Sequence, residues 1–276
     1  MIGATMKWPN GAHCAVILTF DLDAELMWYN SYPHTPGYKA RGQYGPLVGA
    51  PRIIELTEKY DISSTFFVPG AVAEWYPDLV KELHEKGHEI GHHGYLHEYV
   101  SKLEEKEERE MLQKGMDAIE KVIGKKPCGY RSPAADFSDN SLALLDEFGF
   151  LYDSSMMKDD FNPYRLTDYN PNSHIVELPF SWELDDAPYF QFLFKPYRGG
   201  LASPTRVFEI WSAEFKAAYD QGGVFTLCMH PQIIGRAYRM RLLEELVQYM
   251  RGFPNVWFTT CEGAAKACTD AWKKKK

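Results

Sequence analysis

Short apolar runs rich in β-branched and aromatic residues alternate with amphipathic helical patterns along nearly the whole chain. Strand-like runs lie at residues 15–18, 64–68, 89–91, 127–133, 151–153, 175–180, 224–229 and 256–259. This alternation predicts parallel strands joined by helical crossovers, and 276 residues suit a closed (β/α) barrel better than an open sheet. Residues 156–174 are polar and fit either an irregular excursion or an added hairpin. No repeat or composition shift marks a boundary, so we expect residues 1–276 to form a single domain.

Charge and cysteine usage exclude several classes of partner. The chain has 30 basic and 38 acidic residues, a net charge of −8, which argues against nucleic acid or an anionic membrane as partner. No apolar run has the length of a membrane span. Residues 1–12 lack the apolar stretch of a secretion signal, and the five cysteines form no Cys-x-x-Cys pair. We therefore expect a cytoplasmic protein without a disulfide framework, and a homo-oligomer is compatible with these features.

Two aspartates follow the first apolar run. Side chains alternate along a strand, so Asp21 and Asp23 are expected on the same face. Two adjacent carboxylates at the end of a buried strand repel each other and resist loss of water, and a metal ion is the simplest charge that offsets this cost. Taken alone, the pair fits solvated loop residues equally well.

A second polar cluster, His93 and His97, follows the strand at 89–91. The i, i+4 spacing predicts two imidazoles on one face of a helical turn, with Gly94 allowing a sharp bend and His92 facing the other way. Two imidazoles and one carboxylate suit one divalent metal, with Zn²⁺ preferred and Fe, Co, Ni or Mn also compatible.

The candidate polar residues each come directly after a predicted strand. In an α/β barrel the carboxyl ends of the strands meet at one rim, where active sites are built. Residues far apart in sequence should therefore meet there: Asp21, Asp23, His93, His97, Arg131, Asp153 and His230.

Residues 27–44 are rich in aromatic side chains and lack a clean periodicity. Trp28, Tyr29 and Tyr32 fit either the mouth of a substrate pocket or a packed surface loop.

Five motifs follow one another along the chain: Thr-Phe-Asp-Leu-Asp (19–23), Glu-Ile-Gly-His-His-Gly-Tyr-Leu-His (89–97), Gly-Tyr-Arg-Ser-Pro (129–133), Tyr-Asp-Ser-Ser (152–155) and Leu-Cys-Met-His-Pro (227–231). Together they resemble the polysaccharide deacetylase (NodB-homology) family, and are similar to its branch of intracellular peptidoglycan-deacetylase-like proteins, cyclic-imide hydrolases and allantoinases. The resemblance implies a single-domain, distorted and incomplete (β/α) barrel with its metal-site motifs within residues 15–231.

The resemblance also implies a role for each residue. Asp23, His93 and His97 would bind the metal. Asp21 would be the general base, held ionised and oriented by Arg131, and His230 the general acid. Asp185 or Asp186 would orient His230, in preference to Asp153. Ala134 and Trp182 would join the aromatic residues of 27–44 in contacting substrate.

Three departures from the family pattern leave the substrate open. Leu22 separates the aspartates, Gly94 replaces Ser or Thr, and Ala134 replaces a Tyr. The family default is a metal-dependent deacetylase of an acetamido sugar, acting on a non-peptide C–N bond. A hydrolase that opens a cyclic imide or ureide is the alternative, and a non-catalytic sugar- or metabolite-binding protein is the second.

Overall fold

Eleven strands and twelve α-helices alternate along the residues that the structure describes. The structure is a computed structural model that describes residues 6–29, 32, 34–194 and 197–274. Residues 1–5 of the segment considered for a secretion signal, and residues 30, 31 and 33 of the aromatic segment, lie outside this description.

The strands are β1 (Cys14–Asp21), β2 (Thr65–Val68), β3 (Glu89–His92), β4 (Gly129–Tyr130), β5 (Tyr152–Asp153), β6 (Tyr164–Arg165), β7 (Val176–Glu177), β8 (Leu193–Phe194), β9 (Tyr197–Arg198), β10 (Val224–Met229) and β11 (Val256–Thr259). The helices are α1 (Leu26–Tyr29), α2 (Pro36–Tyr44), α3 (Ala50–Tyr60), α4 (Gly70–Trp75), α5 (Pro77–Glu85), α6 (Glu105–Ile123), α7 (Ser141–Phe148), α8 (Ala187–Phe190), α9 (Pro204–Gln221), α10 (Pro231–Ile234), α11 (Ala237–Arg251) and α12 (Cys261–Lys273). None of these helices is both long and apolar enough to cross a membrane.

Strand β1 is buried along its whole length and is the centre of one curled sheet. The sheet order is β10-β1-β2-β3-β4-β5-β7-β6, with β11 also paired to β1. All strand pairs in this sheet are parallel except β6 with β7, which confirms the predicted alternation in a single α/β domain. Strands β8 and β9 form a separate antiparallel pair. The polar segment 156–174 contains β6, so it is the added antiparallel strand rather than an irregular excursion.

The barrel is incomplete between β7 and β10. Within the described chain no strand pair spans this gap, and one parallel bridge between Asp185 and Cys228 joins the two sides. The expectation of a fully closed barrel was therefore wrong, whereas the incomplete barrel implied by the family resemblance is confirmed. The bridge places Asp185 and Asp186 beside the end of β10, next to His230.

The amphipathic helices pack outside the sheet, and α6 is the longest of them. Glu104 and Glu107 form a capping box at its start, and Gly124 ends it with φ of +72°. Its apolar stripe includes the fully buried Leu112 and Ile119. Both the caps and the stripe are local in sequence, so the start, the end and the buried face of this helix can be read from the sequence.

The aromatic segment is more regular than its composition suggested. Residues 36–44 form α2, and a π-helical turn at Gly45–Gly49 continues directly into α3. A Cβ at Gly49 would lie 2.1 Å from the carbonyl oxygen of Pro231, so glycine permits contact between the two backbones. Helix α2 has no apolar stripe, and Gly42 is its buried residue.

Candidate active site

The carboxyl ends of β1, β3, β4, β5 and β10 meet around one cavity of about 530 Å³, as the strand-end argument predicted. Residues that line it include Asp21, Asp23, Met27, His93, His97, Tyr99, Arg131, Ser132, Ala134, Ser154, Ser155, Phe180, Trp182, Asp185, Gln191 and His230.

Asp23, His93 and His97 form a compact set of potential metal ligands. One donor atom from each lies within 4.8 Å of the others. The Oδ1 atom of Asp23 is 3.4 Å from Nε2 of His93, and Oδ2 is 3.8 Å from Nε2 of His97. Both oxygens are buried and accept no hydrogen bond from the described residues. A buried carboxylate without donors is costly, and a divalent cation bound by one carboxylate and two imidazoles removes that cost. The residues present therefore fit a metal ion.

The backbone fixes which nitrogen of His93 faces this site. Its Nδ1 atom lies 2.8 Å from the carbonyl oxygen of Arg131, so Nδ1–H donates there and the lone pair on Nε2 faces Asp23. Burial opposes protonation of His93, but Asp21 and Asp23 together raise its pKa. Burial lowers the pKa of His97. Burial would raise the pKa of Asp23, but His97 and the other imidazoles outweigh it and lower the pKa to about 2.

The two imidazoles are brought together by an irregular bend, so the predicted helical turn was wrong. Gly94 has φ of +72° and His97 has φ of +55°. The Glu98 carboxylate accepts the N–H groups of Tyr95 and Leu96 at 3.0 and 2.8 Å and holds the bend. This side-chain substitute for helical hydrogen bonds cannot be recognised from the i, i+4 spacing alone.

His92 faces away from the cavity, as expected. Its Nε2 atom lies 3.0 Å from the carbonyl oxygen of Leu112, and Nδ1 accepts the N–H of Gly94 at 3.1 Å. Burial lowers its pKa to about 4, which keeps the ring neutral.

Asp21 is held by a fully buried guanidinium. Arg131 donates to Oδ1 of Asp21 at 3.0 Å and to the Thr19 hydroxyl at 2.6 Å, and it binds the Ser154 carbonyl and hydroxyl oxygens. The Phe67 ring lies against the guanidinium at 4.3 Å. With Oδ1 occupied by Arg131, Oδ2 of Asp21 faces His93 Nε2 at 3.7 Å. The structure thus brings together the predicted base and its partner.

His230 contacts Asp186 on one side and faces Asp23, one of the potential metal ligands, on the other. Its Nδ1 atom lies 2.6 Å from Oδ1 of Asp186 and 3.9 Å from Oδ1 of Asp185. Its Nε2 atom lies 3.7 Å from Oδ2 of Asp23. Burial opposes protonation, but Asp186 and Asp185 raise the pKa of His230 well above its usual range. Asp153, which was expected at the same rim, is not among the residues that line the cavity, and its carboxylate accepts the Ser155 hydroxyl at 2.8 Å.

Asp185 lines the cavity beside Asp186. Its Oδ1 atom accepts the N–H of Ala187 at 2.6 Å. Burial, aided by the nearby Asp186 charge, raises the pKa of Asp185 to about 7 against the opposing effect of His230. Between the two aspartates left open by the sequence, Asp186 is therefore the one in hydrogen-bond contact with His230.

Among the predicted substrate contacts, Ala134 and Trp182 line the cavity and three aromatic residues do not. Trp28 packs under the Arg41 guanidinium at 4.0 Å, the Tyr29 ring stacks on His34, and the Tyr32 ring stacks on Tyr38. Those contacts place the three rings within the α1–α2 layer, which sequence composition could not distinguish from the cavity mouth.

The cavity wall contains residues that the sequence argument missed. Tyr99, Phe180 and Gln191 line it, together with Ser132, Ser154 and Ser155. The serines directly follow β4 and β5, so the strand-end criterion would have found them if small hydroxyl side chains had been counted.

Comparison with known proteins agrees with this geometry. A family model described as polysaccharide deacetylase matches residues 43–152. The peptidoglycan deacetylase of Helicobacter pylori is 31% identical over 266 residues, an alignment that covers 87% of this chain and 91% of the relative. The chain belongs to the polysaccharide deacetylase family. Membership of this deacetylase family indicates a hydrolase that acts on C–N bonds.

Two solved structures share the fold of this polysaccharide deacetylase family member. A Mycobacterium smegmatis protein, provisionally named a polysaccharide deacetylase, is 38% identical with a TM-score of 0.92, covering 99% of this chain and 96% of that one. Puue allantoinase is 22% identical with a TM-score of 0.84, covering 96% and 93%. The second likeness concerns the fold alone.

Proposed function

We propose that this protein is a metal-dependent deacetylase that hydrolyses the acetamido group of an amino sugar. The observation that carries the proposal is the buried Asp23 carboxylate, whose two oxygens face His93, His97 and His230 and accept no hydrogen bond from the described residues. The names of the related deacetylases support the substrate class. Asp23, His93 and His97 would hold one divalent ion, with Zn²⁺ preferred.

A divalent ion at these ligands would lower the pKa of a water molecule and polarise the amide carbonyl. In our proposal Asp21 accepts the proton of the attacking water through Oδ2, the oxygen that Arg131 leaves uncovered. Arg131 keeps the carboxylate in one orientation. The N–H of Ala134, at the cavity wall, is a candidate donor to the oxyanion.

His230 supplies the proton that the leaving nitrogen requires. Asp186 takes the Nδ1–H, which leaves Nε2–H on the cavity side, and the raised pKa keeps the ring protonated near neutral pH. An amine is a poor leaving group unless it is protonated, so a general acid on this side of the cavity suits amide hydrolysis. Asp21 and His230 would thus act as separate base and acid.

A cyclic imide or ureide is the second candidate substrate. A cavity of about 530 Å³ has the size of a small-molecule site. Aromatic contacts with the flat ring of such a substrate would come from Tyr99, Phe180 and Trp182, because the rings of Trp28, Tyr29 and Tyr32 do not line the cavity. With three fewer aromatic rings at the cavity, the acetamido sugar remains the first candidate substrate.

The deciding experiment is a turnover assay of the protein after removal and reloading of metal. Acetate release from short N-acetylglucosamine oligomers is expected with Zn²⁺ or Co²⁺ and not after chelation. The same preparations are tested on small cyclic imides and on allantoin. Ring opening without acetate release would favour the second candidate, and no turnover of either by metal-loaded protein would support a binding role instead.

A further inference from the structure

A second, smaller cavity of about 150 Å³ lies where α2, α8 and α11 meet, and it is rich in arginine. Arg41 comes from α2, Arg239 from α11, and Arg236 from the turn before α11. No aspartate or glutamate is among the residues that line it. In a protein with a net charge of −8, three guanidinium groups around one cavity whose lining contains no carboxylate is an unusual charge distribution.

Each guanidinium lies against an aromatic ring rather than a carboxylate. Arg41 lies 4.0 Å from the centre of the Trp28 ring, Arg236 lies 3.6 Å from that of Tyr44, and Arg239 lies 4.6 Å from that of Phe190. Stacking fixes the plane of a guanidinium and leaves its N–H groups pointing outward from the edge of that plane. Within the described part of the chain, none of the three forms an ion pair.

The N–H groups of these arginines are only partly used. Arg41 donates to the Phe192 carbonyl oxygen at 3.1 Å, and Arg239 donates to those of Ile233 and Phe190 at 2.8 and 3.3 Å. The Arg236 guanidinium donates to no group among the described residues. Burial lowers the pKa of Arg41, and repulsion from Arg236 adds to this against the opposing effect of Tyr38. Two neighbouring cations that repel each other would be stabilised by an anion between them.

Trp28 provides an independent sign that an acceptor belongs here. It lines the same cavity, its side chain is 3% exposed, and its indole Nε1–H has no acceptor in the part of the chain described. A buried donor without an acceptor costs free energy. The three guanidinium groups and this indole are donors and suit a group that carries several acceptor oxygens. The buried Oε1 of Gln232, also in the lining, accepts no hydrogen bond from the described residues and suits a hydroxyl on that group.

We propose that this cavity binds a small oxyanion, a carboxylate or phosphate group. A cavity of 150 Å³ accommodates a ring the size of benzene, which is ample for such a group and too small for a sugar. Arginine is the side chain best suited to bind both anions through paired N–H groups.

The anion site shares a wall with the active-site cavity. Gln191 lines both cavities, and Arg239 and Arg41 bind the carbonyl oxygens of Phe190 and Phe192 on either side of it. An anion here would therefore stabilise the wall formed by α8 and Gln191. Its source is either a free anion or an acidic group carried by a substrate.

Calorimetric titration of the full chain with inorganic phosphate tests the site without any use of activity. Ionic strength is held constant with sodium chloride, and R236Q is compared with R241Q on the exposed side of α11. R236Q is a mild change because its backbone hydrogen bonds are kept and the Arg236 guanidinium donates no hydrogen bond within the described protein. We expect saturable binding to wild type and R241Q, and at least about tenfold weaker binding to R236Q.

Equal phosphate affinity in R236Q and wild type would overturn the proposal, and so would binding that does not saturate. The proposal would also be overturned if the wild type bound no phosphate and R236Q changed its oligomeric state. The arginines would then bind a carboxylate of a second copy of the chain. R41Q repeats the test from the other side of the cavity.

A competition experiment then separates the two sources and rests on the proposed function. Phosphate should raise the KM of a carboxylate-bearing acetamido sugar if the substrate's own acidic group occupies the site. It should leave that KM unchanged if the site takes a free anion. Absence of turnover would count against the proposed function and leave the calorimetric result standing.

Discussion

The Asp186 carboxylate binds His230 through both oxygens. Oδ1 lies 2.6 Å from the imidazole Nδ1, and Oδ2 accepts the backbone N–H of His230 at 3.0 Å. Asp185 is next in sequence, yet its nearest oxygen is 3.9 Å from the same Nδ1. The ring is therefore held in one tautomer and orientation by one of two adjacent aspartates, and this difference can be tested.

Replacing Asp186 with asparagine should move the basic limb of the pH profile of kcat/KM to lower pH. Asp186 raises the pKa of His230, so loss of its charge lowers that pKa and the acid form disappears at lower pH. The matched variant D185N should shift the limb less, because Asp185 is farther from Nδ1. A basic limb that is unchanged in D186N would mean that His230 is not the acid.

Metal content should depend on Asp23 and His93. Replacing either with alanine removes one of three ligands, so atomic absorption of the purified variants should show a large loss of bound metal. His174→Ala, an exposed histidine, is the control and should retain the wild-type content. Equal metal in D23A, H93A and wild type would place the metal elsewhere.

Asp21→Asn should retain metal and lose about 10²–10⁴-fold in kcat. An amide cannot accept a proton from water, whereas the hydrogen bond from Arg131 to the Oδ1 position can persist. Near wild-type kinetics with metal retained would exclude Asp21 as base. Glu25 is not suited to replace Asp21 as the general base. Its Oε1 atom accepts the Tyr76 hydroxyl at 2.8 Å, and Glu25 is not among the residues that line the cavity.

Trp182→Ala should raise KM several-fold, with a smaller change in kcat. Trp182 lines the cavity, is 43% exposed and packs edge-on against Phe180, so it offers a ring face to substrate. Tyr29→Ala is the matched control, since its ring stacks on His34 outside the cavity. Steady-state kinetics with the two variants should differ, and a larger KM effect in Y29A would restore the original expectation for the aromatic segment.

Gly94→Ala should reduce both stability and metal affinity. A left-handed backbone costs alanine about 1–2 kcal/mol, and the added Cβ would lie 2.9 Å from the Glu98 carboxylate that holds the histidine bend. Gly149→Ala isolates the backbone cost, because Gly149 has φ of +77° and no atom within 4 Å of its Cβ position. The thermal unfolding temperature should fall in both variants, while the metal affinity measured by titration should weaken only in G94A.

The sequence was sufficient to predict eight of the eleven strands that the structure describes, without β6, β8 and β9, and the rim at which the polar residues meet. Both follow from local patterns. Helix α6 carries its own caps and apolar stripe, and the residues after parallel strands share one end of a sheet whatever the details of the turns. The proposed metal ligands Asp23, His93 and His97, together with Asp21, Arg131 and His230, could therefore be placed at one rim before any coordinates.

Tertiary structure alone decided the choices between neighbours. Asp185 and Asp186 are equivalent as sequence, and only the bridge from Asp185 to Cys228 across the gap in the barrel turns Asp186 toward His230. The rings of Trp28, Tyr29 and Tyr32 were assigned to the cavity by composition, and only the packing of α1 and α2 shows that they face Arg41, His34 and Tyr38 instead. Such choices depend on contacts between residues far apart in the chain, and local periodicity carries no information about them.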